Sequence, residues 1–343
     1  MTDFRAPRRN PFHLRLYPEE ILGVFFFCLL LVLSWKYGTP IKGPTVVVRS
    51  VTNAFLIIFG LALISGRFDI SLLKIVRNWV PIVIALMAYE NLGNLVRFIN
   101  PHDADPVLKR IDEYLFFGVN PTLWLERWIR PWFSEIMHSC YTSYYPFLPI
   151  IGFVLYASRD YHRFRNVMVS VTLGFYLGYI LYLLVPTVGP RYYMADQFAV
   201  DTKGVTMVSE KVYWMLVHLE PTRRDCFPSL HTAITVIVTT FAYKYRRWLF
   251  WLLLPVNIGI VMATVYLRYH YVIDVIAGLA LAAFCVWAGP RLNKLWYRRV
   301  TGDHVEDDYP RNLNLLPWGK SLAGRLRGLF ARGSSRHGSR NPE

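Results

Sequence analysis

The sequence predicts an all-α, polytopic membrane bundle of about eight spans, with interfacial helices in the loop between spans three and four. Three observations carry this. Hydrophobic residues make up 54% of the chain and aromatic residues 16%, with a positive mean hydropathy, above the apolar share of ordinary soluble domains. Apolar runs of nearly 20 residues recur along the chain, the length that a hydrocarbon core of about 30 Å demands of a helix. Finally, the formal charge of +15 gathers in the links between those runs and in the tails, with no nucleic-acid motif beside it, which argues against a nucleic-acid partner.

The first run, 20–36, follows the basic stretch RAPRRNPFHLR and lacks a small-residue cleavage site, so it reads as an uncleaved signal anchor. Runs 46–65 and 79–98 come next, then 139–158 and 166–187, then the short run 229–244, and last 248–268 and 271–289. An even number of spans puts both termini on one side. Of the 38 Lys and Arg, 24 lie in the tails and links of that side and 14 on the other, although the two long loops, 99–138 and 188–228, belong to the latter. The positive-inside tendency therefore assigns the termini to the cytoplasm and both long loops to the outer face.

Loop 99–138 contains NPTLWLERWIRPWF, in which Trp, Leu and Phe alternate with charges as in a helix lying among headgroups. It packs in that layer or covers a substrate as a lid. The tail GKSLAGRLRGLFARGSSRHGSRNPE is basic and amphipathic at its start, as expected of a segment that adheres to anionic lipid. The chain thus divides into 1–138, three spans and the interfacial loop; 139–290, a five-span core; and 291–343, a basic tail. Of four cysteines, Cys28 and Cys285 sit in apolar runs, whereas Cys140 and Cys226 fall at segment ends where a bridge between them is open. No cysteine shows the short paired spacing of a zinc site, and no metal is expected.

Ionisable groups near lipid are costly and mark functional candidates, and three clusters of them fall on the outer side. VPTVGPRYY ends the fifth span and supplies Arg191. FPSLH opens the sixth and supplies Ser229 and His231. YLRYHYVIDVIAG joins the last two and supplies Arg268, His270 and Asp274. Pro228 suits a first helical position, so the amides of Ser229, Leu230 and His231 would open a helix start that binds phosphate, with the imidazole placed to protonate a leaving alkoxide. Residues 270 and 274 share a face of any continuous helix, which lets the carboxylate fix one ring nitrogen and leave the other to attack. Arg191 and Arg268 would clamp phosphate oxygens. Each motif alone has a plainer reading: a capping histidine, a structural His–Asp pair, arginines anchored to headgroups. Their convergence on one face is what singles them out.

FPSLH followed by RYHYVID resembles the second and third signature motifs of the type 2 phosphatidic acid phosphatase superfamily, and most resembles its inositol phosphorylceramide synthase-like subgroup. The likeness covers roughly 139–290. It implies His270 as the nucleophile of a phosphohistidine enzyme, Asp274 as its orienting partner, His231 as the acid, and no metal or cofactor. Three positions depart from the pattern. Leu230 replaces the usual Gly of the second motif, as in the synthase subgroup. Thr264 stands where the superfamily has an arginine six residues before the nucleophile, which makes Arg268 the substitute. The first motif's lysine is missing beside Arg191.

The resemblance implies cleavage of a lipid phosphoester on the outer face, with a phosphoryl or phospho-headgroup passed to a lipid or glycan alcohol. A phosphatase that transfers to water only, and a non-catalytic lipid transporter or scaffold, are the alternatives. The expected partners are a lipid phosphate or phospholipid, an acceptor alcohol or water, and the membrane itself. The expected location is a bacterial inner membrane, with a periplasmic site.

Overall fold

A computed structural model of the chain describes residues 15–37, 43–68, 70–202, 204, 210–211, 222–300 and 309. Twelve α-helices order the described residues: α1 Pro18–Tyr37, α2 Gly43–Arg67, α3 Ser71–Ile99, α4 Asp105–Leu115, α5 Pro121–Trp124, α6 Pro131–Thr142, α7 Tyr144–Ala157, α8 Tyr161–Leu184, α9 Pro190–Tyr193, α10 Leu230–Tyr245, α11 Arg247–Tyr266 and α12 Val272–Val300. Among the described residues there is no strand. Residues 291–300 of the basic tail continue α12, and the rest of the tail lies outside the described residues apart from Tyr309.

Six helices are long and apolar enough to cross a membrane, within Pro18–Tyr37, Val46–Arg67, Ser71–Gly93, Tyr161–Leu184, Arg247–Tyr266 and Val272–Arg298. The run 139–158 is broken at Ser143 into the end of α6 and the 14-residue α7, and the short run 229–244 is the 16-residue α10. Pro146 supplies the break, because it has no N–H to donate to the carbonyl four residues before it, yet is tolerated in the first turn of a new helix. At a rise of about 1.5 Å per residue, α10 is only about 24 Å long.

The bundle closes around α8, 78% of whose span is buried, against 28% for the peripheral α2. A helix apolar on all sides needs neighbours on all sides, and α8 packs against α1, α3, α7, α10 and α12. One contact explains a sequence peculiarity. Leu230 is buried and its methyls fill a notch over Gly178 of α8, where an added Cβ would lie only 2.4 Å from Leu230 Cδ2. The Leu that replaces glycine in the second motif therefore has a complementary glycine on the helix it faces.

Loop 99–138 lies as α4, α5, a 3-10 turn Leu125–Trp128 and α6. Its large apolar side chains Tyr114, Phe117, Trp124, Trp128 and Trp132 are exposed, as expected for the headgroup layer. Its polar face turns inward, onto the motifs.

Candidate active site

Three backbone segments meet at one end of the bundle: 186–191 after α8, 222–230 before α10 and 267–274 between α11 and α12. They are stitched together by main-chain hydrogen bonds: Arg191 N to Arg268 O at 2.8 Å, Cys226 N to Thr187 O at 3.2 Å and Ser229 N to Asp274 O at 3.0 Å. Gly189 makes the first approach feasible. Its φ is +81° and a Cβ there would sit 2.6 Å from the Tyr269 carbonyl oxygen, so only glycine fits.

Two carboxylates from α4, buried completely, hold this assembly from outside. Asp112 accepts from the amides of Val272 and Ile273, both at 2.8 Å, at the start of α12. It thereby serves as an N-cap supplied from another helix, satisfying donors that have no intrahelical acceptor and placing negative charge at the positive helix end. Asp105 accepts from Val188 N at 2.9 Å, Gly189 N at 2.8 Å and Tyr271 Oη at 3.1 Å. Burial pushes both carboxyls up from their ordinary value, and these amide hydrogen bonds oppose the shift. The sequence reading missed both residues; their partners lie 83 to 166 positions away, so no local signal marks them.

Within this frame the two histidines face each other with ring centroids 6.3 Å apart. His231, at the start of α10, lies between two tyrosines: stacked on Tyr141 at 4.3 Å and tilted against Tyr144 at 4.3 Å, with Tyr141 Oη 3.5 Å from Nδ1. Its Nε2 is buried without a hydrogen-bond partner among the described residues. A buried polar atom left unsatisfied is costly, which singles this nitrogen out as one with hydrogen-bonding capacity in reserve.

His270 and Asp274 pair as expected, but by a different construction. A continuous helix does not carry both: α12 starts at Val272, and His270 lies in a turn where Arg268 has φ +66° and the amides of Tyr269 and His270 both donate to Thr264 O at 3.0 Å. The turn nevertheless sets Nδ1 3.5 Å from Asp274 Oδ2, the outer limit of a hydrogen bond. Oδ2 is held more tightly by Tyr271 N at 2.8 Å and by the Cys226 thiol, which donates at 2.9 Å. Asp274 Oδ1 is buried with no partner among the described residues.

Cys226 is the unforeseen member of the site. Its sulfur is also 3.5 Å from His270 Nδ1 and 3.1 Å from the Tyr269 carbonyl oxygen. Burial, and next the adjacent Asp274 charge, push the thiol well above its ordinary value. A bridge to Cys140 is overturned: both are free thiols, Cys140 lying against Gly259 of α11 and Cys226 against the dyad. The Cys226, His270 and Asp274 ligand atoms all lie within 4.8 Å of one another, the cluster among the described residues that could hold a metal ion.

The other sequence candidates are placed as follows. Ser229 is buried and caps α10, its hydroxyl accepting from Thr232 N at 3.4 Å and Thr232 Oγ1 at 3.1 Å. Pro228 therefore precedes the cap rather than opening the helix, and the first helical amides are those of Leu230 and His231. Arg191 donates to Tyr269 Oη at 2.7 Å, and Tyr269 packs on Tyr141 at 4.6 Å, so this arginine joins the histidines through an aromatic wall. Arg268 reaches toward the outer loops. It donates to Val200 O at 2.7 Å and Glu126 Oε1 at 3.2 Å, and lies 3.7 Å over the Phe198 ring. Thr264 Oγ1 donates to Val261 O in its own helix at 2.7 Å.

A family described as the PAP2 superfamily matches residues 107–288. No curated protein and no solved structure matches the chain. The match begins in α4, whose Asp112 grips the third motif, and takes in both histidine motifs. Spanning just over half of the sequence and every segment of the cleft, it shows that the chain belongs to the PAP2 superfamily.

Proposed function

We propose that the chain is an integral-membrane phosphotransferase or phosphatase that cleaves a lipid phosphoester through a phosphohistidine on His270. Superfamily membership suggests phosphatase or phosphotransferase chemistry on lipid phosphates. The observation that carries the finer reading is the facing of His231 and His270 at 6.3 Å with Asp274 behind the second ring. That separation suits one tetrahedral phosphorus touched by both.

In the first step His270 Nε2 attacks phosphorus and the ester P–O bond breaks. The leaving alkoxide takes the proton from His231 Nε2, and the Asp274 carboxylate stabilises the imidazolium that forms on His270. In the second step His231, now neutral, takes the proton of an alcohol or water. That oxygen attacks phosphorus, and the P–N bond breaks with its electron pair returning to His270. The amides at the α10 start and Arg191 provide positive potential for the equatorial oxygens. Arg268 and Ser229 support this site from the loop and the helix cap.

Leu230 in the second motif favours the inositol phosphorylceramide synthase-like subgroup, and so transfer to a lipid or glycan alcohol over hydrolysis. The distribution of Lys and Arg favours a bacterial inner membrane with cytoplasmic termini and a periplasmic cleft. Purified protein given a range of lipid phosphates should release phosphate or exchange headgroups. His270→Ala should abolish both, and His231→Ala should accumulate an acid-labile, base-stable phosphohistidine. Retained turnover in His270→Ala overturns the reading.

A further inference from the structure

The cleft contains a thiol that the proposed phosphoryl chemistry does not use. Cys226 Sγ is 2.9 Å from Asp274 Oδ2 and 3.5 Å from His270 Nδ1, and the latter two atoms are 3.5 Å apart. Ligand lengths of about 2.0 Å for nitrogen and oxygen and about 2.3 Å for sulfur give separations of about 3.3–3.5 Å around a tetrahedral ion. Two of the three spacings already lie near these values, and the third, sulfur to carboxylate oxygen, needs to open by about 0.6 Å. Asp274 is fully buried and its Oδ1 has no partner, leaving a further donor atom unclaimed.

We propose that Cys226, His270 and Asp274 form an inhibitory site for a thiophilic divalent cation of the zinc and cadmium type. The proposal rests on His270 being the nucleophile. A thiolate and a carboxylate neutralise the ion, and a neutral imidazole completes three ligands, with a water or a phosphate oxygen as the fourth. Mixed sulfur, nitrogen and oxygen donors select zinc-like ions over magnesium or calcium, which demand oxygen cages. The thiol proton goes to solvent. A neutral imidazole that binds metal through Nδ1 carries its single proton on Nε2, so the lone pair that would attack phosphorus is gone. Metal capture therefore silences the nucleophile by fixing the wrong tautomer, and does not need to block the cleft.

The test is titration of the purified full-length protein with cadmium chloride, following turnover of a lipid phosphate and, in parallel, the ultraviolet charge-transfer band of a cadmium–thiolate bond. Inhibition should be reversed by chelator, and magnesium at the same concentration should leave turnover unchanged. Cys226→Ser should weaken cadmium inhibition by about 10- to 100-fold and remove the band; the double variant Cys28→Ser/Cys140→Ser should keep both. Where Cys226→Ser does not fold, the band in that double variant decides, since only Cys226 and the core residue Cys285 remain to produce it. An active enzyme with no band, or Cys226→Ser inhibited as strongly as the parent, overturns the metal site. A protein without turnover on any lipid phosphate that still shows one cadmium per chain and the band overturns the catalytic reading and leaves the site standing.

Discussion

Two buried polar clusters occupy opposite ends of α8, and they are built on opposite principles. At the Arg165 end two buried guanidiniums have every nitrogen in a hydrogen bond: Arg165 donates to Tyr309, Glu19 and Asn78, and Arg77 to Glu20, Ser65 and the Arg15 carbonyl. At the other end, His231 Nε2, Asp274 Oδ1 and Arg268 Nε are buried without partners among the described residues. A satisfied network fixes packing; an unsatisfied one holds capacity in reserve for a ligand. The comparison teaches that burial of charge alone does not mark a site.

Substitutions can break that contrast. The largest effect should follow Asp274→Asn: turnover falls by about 10³- to 10⁴-fold, while thermal unfolding in detergent shifts little, because the amide oxygen still accepts from Tyr271 N and the Cys226 thiol. A matched loss of folding would erase the distinction between the two ends. Next comes Arg165→Met. It leaves Glu19 buried and unpaired, and breaking such a pair costs about 3–5 kcal/mol. The expected result is a lowered unfolding midpoint and poor yield, with turnover per folded molecule unchanged.

Asp112→Ala stands between the two classes. Removing it deprives two amides at the α12 start of their acceptor, a loss of about 1–2 kcal/mol by the measure of helix caps, and should lower both stability and rate. Rate alone, or stability alone, would show that the clamp and the dyad are uncoupled. Smaller still is the ranking of Arg268→Ala against Thr264→Ala. The first frees Glu126 and the Val200 carbonyl and should slow turnover several-fold; the second cuts a hydrogen bond within its own helix and should be close to neutral. The reverse order would remove Arg268 from the site.

Much of the bundle was legible because hydropathy is local: the apolar runs fall on helices, and the short run 229–244 is the short α10. The break at Ser143 was harder to see, since composition does not reveal that Pro146 lies in the first turn of a new helix. His231, His270, Asp274 and Ser229 came from short motifs, and the structure brings them together. Cys226 lies five positions before His231, close enough for the sequence to have suggested it, yet reading it as a bridge partner hid its place beside Asp274. Asp105 and Asp112 escaped because their roles exist only after the chain has folded across more than 80 residues. Arg77 and Arg165 were read as loop charges, whereas both are buried in ion pairs; local sequence does not tell a solvated basic link from an interior one.

The α4 clamp has a mechanical consequence. One short helix, with aromatic residues exposed on its outer side and flank, grips the backbone on two sides of the cleft through Asp105 and Asp112. Because one rigid helix holds both Gly189 and Val272, any displacement of α4 is passed to the backbone on both sides of the dyad at once.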